Sequence, residues 1–258
     1  MKFSTLLLSS GLVLFAGHAL ATEVTHPFYV PDQGHVLTDT NYSYSEVSYD
    51  KSGHASANTL SEQISLGVYD GLAVRVAGAN AWTRDNPKDA SAQDEDRNLS
   101  WSVGAVYNLV DSHNFFAQIG ADYGQRENKA DVGEYKYVNV DLKGGYDIGY
   151  FLPYLQVTGE FPMAQSKMSD NDPVYNFYLG AYRVFGPLAL DAGVNYGWDK
   201  NDDGKDWSIK ARADWLFTDK LSAGIYAAWM FDGNEDTYDG HDEDYDGYTV
   251  GLNLKAAF

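Results

Sequence analysis

Residues 207–217, which read WSIKARADWLF, decide the fold. Positions 207, 209, 211, 213, 215 and 217 are all apolar, and four of the five residues between them are polar. A repeat of two is the period of a β-strand, whose successive side chains point to opposite faces, whereas a helix repeats every 3.6 residues. The stretch therefore predicts a strand that separates two different environments.

The same alternation recurs along the chain, for example over residues 188–198 and 138–148. It predicts an all-β protein, a single closed antiparallel up-and-down barrel of about twelve strands. The alternation is weakest in the first and eighth of these strands. The candidate strands are residues 36–50, 57–70, 72–84, 97–110, 115–126, 135–149, 152–163, 174–185, 187–198, 205–217, 221–231 and 247–258.

Tight and long connections alternate between these strands. The tight ones are Asp70-Gly71, 111–114, Tyr150-Phe151, Gly186 and 218–220. The long, polar ones are 51–56, 85–96, 127–134, 164–173, 199–204 and 232–246. Short turns on one side and long loops on the other are typical of transmembrane barrels, in which the short turns are periplasmic.

The first residues predict export. Basic Met1-Lys2 precedes an apolar run from Leu6 to Gly17 that is too short to span a membrane as a helix, and Ala19-Leu20-Ala21 fits a cleavage site. We therefore expect a signal peptide over 1–21, a periplasmic leader or partial plug over 22–34, and a transmembrane barrel over 35–258. The two prolines of the middle segment argue against a central strand there.

Composition narrows the class of protein. No later stretch is apolar enough for a membrane-spanning helix, and the chain has no cysteine, so disulfides do not hold it together. The formal net charge of -19 argues against binding to nucleic acid, which attracts basic surfaces.

Alternation alone leaves open which face meets lipid, because a soluble lipocalin-like barrel also alternates, with its apolar face inside. The tryptophans favour a membrane barrel, since all six occupy the apolar face near predicted strand ends, as aromatic girdles do. The polar face is rich in Gly, Ser, Asn and Ala, which suits a confined lumen. The six tryptophans are Trp82, Trp101, Trp198, Trp207, Trp215 and Trp229.

The last strand carries one apolar face that closes on a terminal aromatic residue. It consists of Tyr248, Val250, Leu252, Leu254, Ala256 and Phe258. This strand resembles the carboxy-terminal assembly signal of bacterial outer-membrane proteins. The resemblance implies recognition by the barrel-assembly machinery and a final location in the outer membrane, among its lipid and lipopolysaccharide.

The histidines do not suggest an enzyme. A barrel hydrolase needs a nucleophile beside a base. His26, His35, His54, His113 and His241 all fall in the leader, at a strand start, or in loops and turns. We therefore expect no catalytic residues, although a loop-based Asp/His pair at His54 or His241 remains an alternative.

The inward faces of the predicted strands carry charges of both signs, which are candidate pore-lining residues. One interpretation is a charged constriction that selects solutes; the other is a set of internal ion pairs that fill and stiffen the barrel. Lys210 and Arg212 on one strand form the best basic pair. The candidates are Arg75, Asp122, Asp141, Lys143, Asp147, Glu160, Asp191, Lys210, Arg212, Asp214 and Lys255.

Two acidic loops are candidate sites for Ca²⁺ or Mg²⁺, although we expect no cofactor. Residues 199–204 match the first six positions of a calcium loop, but the twelfth position is Lys210, so a polar turn is the simpler interpretation. The loop 232–246 holds eight acids and no lysine or arginine. The candidate ligands are Asp199, Asn201, Asp203, Asp232, Glu235, Asp236, Asp242 and Asp244.

The sequence thus predicts a monomeric outer-membrane channel for small polar solutes. The first alternative is a structural or surface-interaction barrel with a filled lumen and acidic extracellular loops. The second alternative, a barrel enzyme, is disfavoured by the positions of the histidines.

Overall fold

The computed structural model is all-β, and it describes residues 23–50, 53–87, 94–111, 114–128, 133–163, 172–200, 204–236 and 242–258. Twelve strands form one closed barrel, which confirms the predicted fold class and strand number. They are β1 (Val36–Tyr49), β2 (Gly53–Tyr69), β3 (Leu72–Pro87), β4 (Asp94–Asp111), β5 (Phe115–Asn128), β6 (Gly133–Tyr146), β7 (Leu152–Pro162), β8 (Val174–Phe185), β9 (Leu188–Asp199), β10 (Gly204–Thr218), β11 (Leu221–Asp236) and β12 (Asp242–Ala257).

Each strand pairs antiparallel with its neighbours in sequence, and β12 pairs with β1 to close the ring. Val36 and Phe258 complete the closure, because each donates its backbone N–H to the carbonyl of the other, at 3.0 and 2.8 Å. Closure leaves no strand edge unpaired. No helix in the described part of the chain is long and apolar enough to cross a membrane.

The tight turns all lie at one end of the barrel, together with both ends of the described chain. Gly71, Gly149 and Gly186 take positive φ values of 74°, 83° and 59° there. Glycine adopts this backbone conformation without the steric cost that a Cβ brings. These short turns let β2–β3 and β8–β9 pair directly beside the turn, whereas β6–β7 pairing starts at Gly145 and Tyr154.

At the opposite end the strands run further than the alternation predicts. β2 already begins at Gly53. β11 continues as far as Asp236, and β12 begins at Asp242. Most of the predicted loop 232–246 is therefore hairpin, with Asn234 opposite Asp244. Backbone pairing continues beyond the apolar band of the outer wall, where both faces are polar and the period-two signal disappears.

The outer wall is apolar, as a wall in contact with lipid requires. Five of the six tryptophans, all but Trp198, are between 42% and 59% exposed on it. Trp198 lies on the same face of β9, with its ring centroid 5.7 Å from that of Tyr175. The inward residues of the same strands are polar, small or aromatic, so the barrel has a polar interior.

The assignment of faces is testable at the middle of β10. Ala211 faces outward between Ala192 and Ala227, whereas Lys210 faces the lumen. We expect Ala211→Arg to cost about 2–4 kcal/mol, because a guanidinium is costly at the bilayer midplane. Lys210→Arg, which keeps a cation inside, should cost less than about 1 kcal/mol. Equal losses in a urea titration of protein folded in lipid vesicles would contradict this assignment of faces.

Candidate functional site in the barrel lumen

Most of the predicted pore-lining charges point into the barrel and are almost completely buried. Asp191 is also inward and is partly buried. Asp147 differs, because it lies in the turn after β6, where its Oδ1 accepts the Gly149 N–H at 2.6 Å. The residues at most 8% exposed are Arg75, Asp122, Asp141, Lys143, Glu160, Lys210, Arg212, Asp214 and Lys255.

Arg75 is the centre of the first charge cluster. Its guanidinium donates to Asp122 through Nε, at 2.7 Å, and through Nη2. The same Nη2 also donates to Asp141 at 2.9 Å. One cation thus joins carboxylates from β5 and β6 to β3. Removing one partner from such a buried group leaves an uncompensated charge, which costs about 3–5 kcal/mol.

Two glycines make this long reach possible. Gly104, on β4, lies opposite Arg75 on one neighbouring strand and opposite Asp122 on the other. A Cβ at position 104 would be 2.3 Å from Asp122 Oδ1. Gly120 lies opposite Asp141, and its Cβ would be 2.0 Å from Asp141 Oδ2 and 2.8 Å from Arg75 Nη2. The charge cluster therefore lies on a part of the wall that has no side chains beneath it.

A second cluster lies on the opposite side of the lumen. Arg212 donates to both carboxylate oxygens of Asp214, at 2.6 and 3.0 Å, and Asn253 donates to Asp214 at 2.7 Å. Lys255 pairs with Asp39 at 3.4 Å. The two residues of the predicted basic pair therefore differ, because Arg212 forms an ion pair with Asp214 and Lys210 forms none among the described residues.

Tyrosines bind or cover other lumen charges. Tyr154 and Tyr178 both donate their hydroxyls to Asp191, at 2.6 and 3.0 Å. Nearer the long-loop end, Arg126 donates both guanidinium arms to Glu160, one of them at 2.9 Å. Tyr137 stacks under that guanidinium, 4.5 Å from its carbon to the ring centroid. Sequence reasoning missed Arg126 because it lies at the end of the predicted strand.

Two lumen lysines have no carboxylate within salt-bridge distance among the described residues. Lys210 lies with its ammonium 6.0 Å from the Tyr178 ring centroid. Lys143 instead donates to the backbone carbonyl of Pro27, at 2.8 Å. Lys143 is thus engaged while Pro27 is in place, whereas Lys210 has no hydrogen-bond acceptor among the described residues.

Residues 23–35 fill the lumen at the short-turn end. Val24 and Phe28 are 0% and 1% exposed, and His26 is 9% exposed. The segment is fastened at both ends by backbone hydrogen bonds, from Val24 to Asp219 at 2.9 Å and from Gly34 to Gly67 at 2.8 Å. Gly67 is necessary for this path, since a Cβ there would lie 2.1 Å from the Asp32 carbonyl oxygen.

Aromatic packing holds the middle of this segment. The Phe28 ring stacks on Phe116, with centroids 5.4 Å apart, and meets Tyr154 edge-on at 6.1 Å. His26 lies edge-on to Tyr182 at 5.1 Å. These rings belong to β5, β7 and β8, so the segment bridges separate parts of the wall.

Polar contacts to the same segment are few. Thr25 and Tyr182 share a hydrogen bond of 2.8 Å between their hydroxyls. Asn108 and Gln118 direct their amide groups at the Phe28 carbonyl at 3.5 Å, which is long for a hydrogen bond. In the sequence, the feature that points to a docked segment is the stretch His26–Pro31, because its apolar residues do not belong to any alternating strand.

Burial changes the proton affinity of the segment. Desolvation, and then the positive charge of Lys143, lower the pKa of His26 from 6.5 to about 3. Desolvation raises the pKa of Glu23 at the start of the segment, and Asp219 adds to that effect. The imidazole is therefore neutral at physiological pH while the segment is docked.

The acidic residues predicted to bind metal are only partly within the described structure. Asp199 ends β9, Asp232 lies in β11 and Asp244 lies in β12, all at the long-loop end, whereas Asn201 and Asp203 lie outside the described residues. The backbones of Glu235, Asp236 and Asp242 are in the β11–β12 hairpin. No group of three or more acidic or histidine side chains suited to a metal occurs in the described part of the chain.

The histidines are dispersed. His54 is exposed within β2, not in a loop as predicted, because that strand begins earlier. His35 precedes β1, and His113 and His241 lie outside the described residues.

The glycine at the charge cluster provides a stability test. We expect Gly120→Ala to destabilise the barrel by about 2–4 kcal/mol, because the added methyl group displaces Asp141 from Arg75. Gly144→Ala is the matched control on β6, where the nearest atom is 3.9 Å from the new Cβ. It should change the free energy of unfolding by less than about 1 kcal/mol. A similar decrease in the free energy of unfolding of the two variants would show that the close contact at position 120 does not affect stability.

Comparisons with known proteins identify the fold. No model of a known protein family matches the chain, and no curated sequence matches it. An outer-membrane channel from Pseudomonas putida F1 superimposes with a TM-score of 0.65 at 13% identity, over 89% of this chain and 97% of that one. The translocator domain of the autotransporter NalP from Neisseria meningitidis gives 0.60 at 10% identity, over 88% and 90%.

The NanC porin gives a TM-score of 0.53 at 11% identity, over 83% of this chain and 98% of that one. At such low identities the likeness concerns the backbone arrangement and carries no residue roles. The chain has the porin-like fold of the outer-membrane β-barrels.

Proposed function

We propose that the chain forms an outer-membrane channel for small polar solutes, closed at its periplasmic end by residues 23–35 in the conformation described. The observation that carries this proposal is the docked segment itself. It occupies the mouth of a polar lumen and is continuous with the barrel only at β1. It can therefore leave the lumen by breaking its own hydrogen bonds, such as those to Gly67 and Asp219, while the pairing among the twelve strands stays intact.

The contacts of the segment suit a reversible closure. Most are aromatic contacts and hydrogen bonds to the backbone, and no ion pair joins the described segment to the wall. Lys143 would be freed by undocking, since its ammonium donates to Pro27. An open lumen would then expose a cation that the closed state conceals.

The alternative is a structural barrel with a permanently filled lumen. The Arg75 cluster favours this structural barrel. Arg75 is only 3% exposed, and paired charges that are so deeply buried stiffen the wall. The two functions differ in what happens when residues 23–35 are removed. A channel gains conductance, whereas a filled barrel does not.

Deletion of residues 23–33 tests the channel. We expect single channels in planar bilayers to pass a clearly larger current than the undeleted protein, because the deletion removes the side chains that fill the periplasmic mouth. Phe28→Ala should give intermittent openings, since it removes the ring stacked on Phe116. A refolded deletion variant that conducts no better than the undeleted protein would favour the structural barrel.

Acidification should open the same channel. The docked pKa of His26, about 3, lies below its ordinary 6.5, so its contribution to docking is complete above pH 6.5 and is lost as pH falls towards 3. At pH 5 the loss is roughly 1–2 kcal/mol. The fraction of time open should therefore rise between pH 7 and pH 5.

His26→Phe is the control for this pH dependence, because it keeps a ring among the aromatic residues but does not titrate. Its open fraction should stay level over the same range. Glu23 acts in the opposite direction, since its raised pKa favours docking as pH falls, and Glu23→Gln separates the two effects. A wild type and a His26→Phe variant with the same pH profile would exclude His26 as the sensor.

A further inference from the structure

The lumen wall formed by β7 to β10 carries buried polar groups that the protein itself does not satisfy. Asn195 on β9 is 1% exposed, and neither its amide oxygen nor its amide nitrogen has a hydrogen-bond partner in the described part of the chain. The hydroxyl of Thr158 on β7 is buried and lacks a partner there as well. A buried polar group without a partner costs free energy, so this wall can gain hydrogen bonds from a molecule in the lumen.

Two opposite charges on β10 flank the amide group of Asn195. Lys210 and Asp206 lie opposite Gly193 and Gly197, the inward glycines immediately before and after Asn195 on β9. The side chains of Lys210 and Asp206 can therefore extend over β9, because no Cβ occupies either glycine position. Asn195 is consequently the inward side chain of β9 that lies between the two charges.

Both charged groups lean from β10 towards β8. A Cβ at Gly197 would collide with Oδ2 of Asp206, so that carboxylate lies over β9. The ammonium of Lys210 lies 6.0 Å from the ring centroid of Tyr178 on β8. The same ring covers Gly193, where a Cβ would be 2.8 Å from Tyr178 Cζ. The ammonium, the amide and the carboxylate are thus arranged along one strip of the wall.

Lys210 and Asp206 do not form an ion pair with each other or with another described residue, although they attract each other at longer range. Their Cα atoms are about 13 Å apart, because four residues of a strand separate them. They differ in this respect from other charges of the lumen. The lumen cations that form ion pairs are Arg75, Arg126, Arg212 and Lys255.

We propose that Lys210, Asn195 and Asp206 form a binding site for a small zwitterionic solute, such as an amino acid. The carboxylate of the solute accepts hydrogen bonds from the Lys210 ammonium and the Asn195 amide nitrogen. Its ammonium group donates to the Asp206 carboxylate and the Asn195 amide oxygen. A solute with a single charge would leave one of the two protein charges without a partner. The proposal rests on the channel function proposed above, because it names the class of solute that the channel passes.

The docked segment does not separate this site from the long-loop end of the barrel. The segment packs against Phe116, Tyr154 and Tyr182, which lie close to the tight turns. Lys210 lies well inside β10, whose short-turn end is Thr218. Binding can therefore be measured on the undeleted protein, and the result does not depend on whether the channel conducts.

Calorimetry on the undeleted protein in detergent micelles tests the site. The probes are glycine and γ-aminobutyrate, two zwitterions with short and long charge separations, and acetate and methylammonium carry one charge each. At least one zwitterion should bind saturably, with a dissociation constant at least about tenfold below that of either single-charge probe. Lys210→Met and Asp206→Asn should each raise that constant at least about tenfold. Lys205→Met, which removes a lysine from the outward face of the same strand, should leave it unchanged.

Several results would overturn the proposal. One is the absence of saturable heat for both zwitterions, and another is equal binding of acetate or methylammonium. A third would come from urea titrations, if Lys210→Met and Asp206→Asn each lowered stability and the double variant restored it, because the two charges would then stabilise each other. Heat-modifiable migration on gels verifies that each variant is folded. A variant without residues 23–33 that conducts, in a protein that binds neither zwitterion, would contradict this site alone, whereas zwitterion binding without conductance would contradict only the channel function.

Discussion

The pairing of β12 with β1 is the interaction on which the rest of the structure depends. In a bilayer no water is available for unpaired backbone groups, so a sheet can cross only if it has no edge. The reciprocal hydrogen bonds of Val36 and Phe258 complete that ring at the short-turn end. Deleting Phe258 would remove both of these hydrogen bonds as well as the terminal ring. The last residue is therefore part of the closure, in addition to its resemblance to an assembly signal.

Closure creates a lumen that is narrow enough for charges on non-adjacent strands to meet. Arg75 on β3 reaches carboxylates on β5 and β6 because Gly104 and Gly120 leave the intervening wall bare. Such buried pairs are weak evidence for stability, since desolvation offsets their attraction, but breaking one is costly. The cluster consequently stiffens one side of the wall. Lys210 and Lys143 have no carboxylate partner of this kind in the described structure and are the better candidates for contact with a solute.

The segment that fills the mouth of the lumen is held by other contacts than the charge clusters of the wall. The segment 23–35 is held by rings and backbone hydrogen bonds, which suits a closure that opens.

The sequence by itself determined the strands, the tight turns and the polar interior, because period-two alternation and positive-φ glycines are local properties. It could not determine where the outer strand ends lie, since both faces become polar beyond the membrane. Only the tertiary structure decided that Arg75 rather than Lys210 is paired, because that depends on the register of three strand pairs, from β3 to β6, and on glycines far away in sequence. It also decided that His26 and Phe28 lie inside the barrel, because their burial requires rings from β5, β7 and β8 that meet only after the barrel closes.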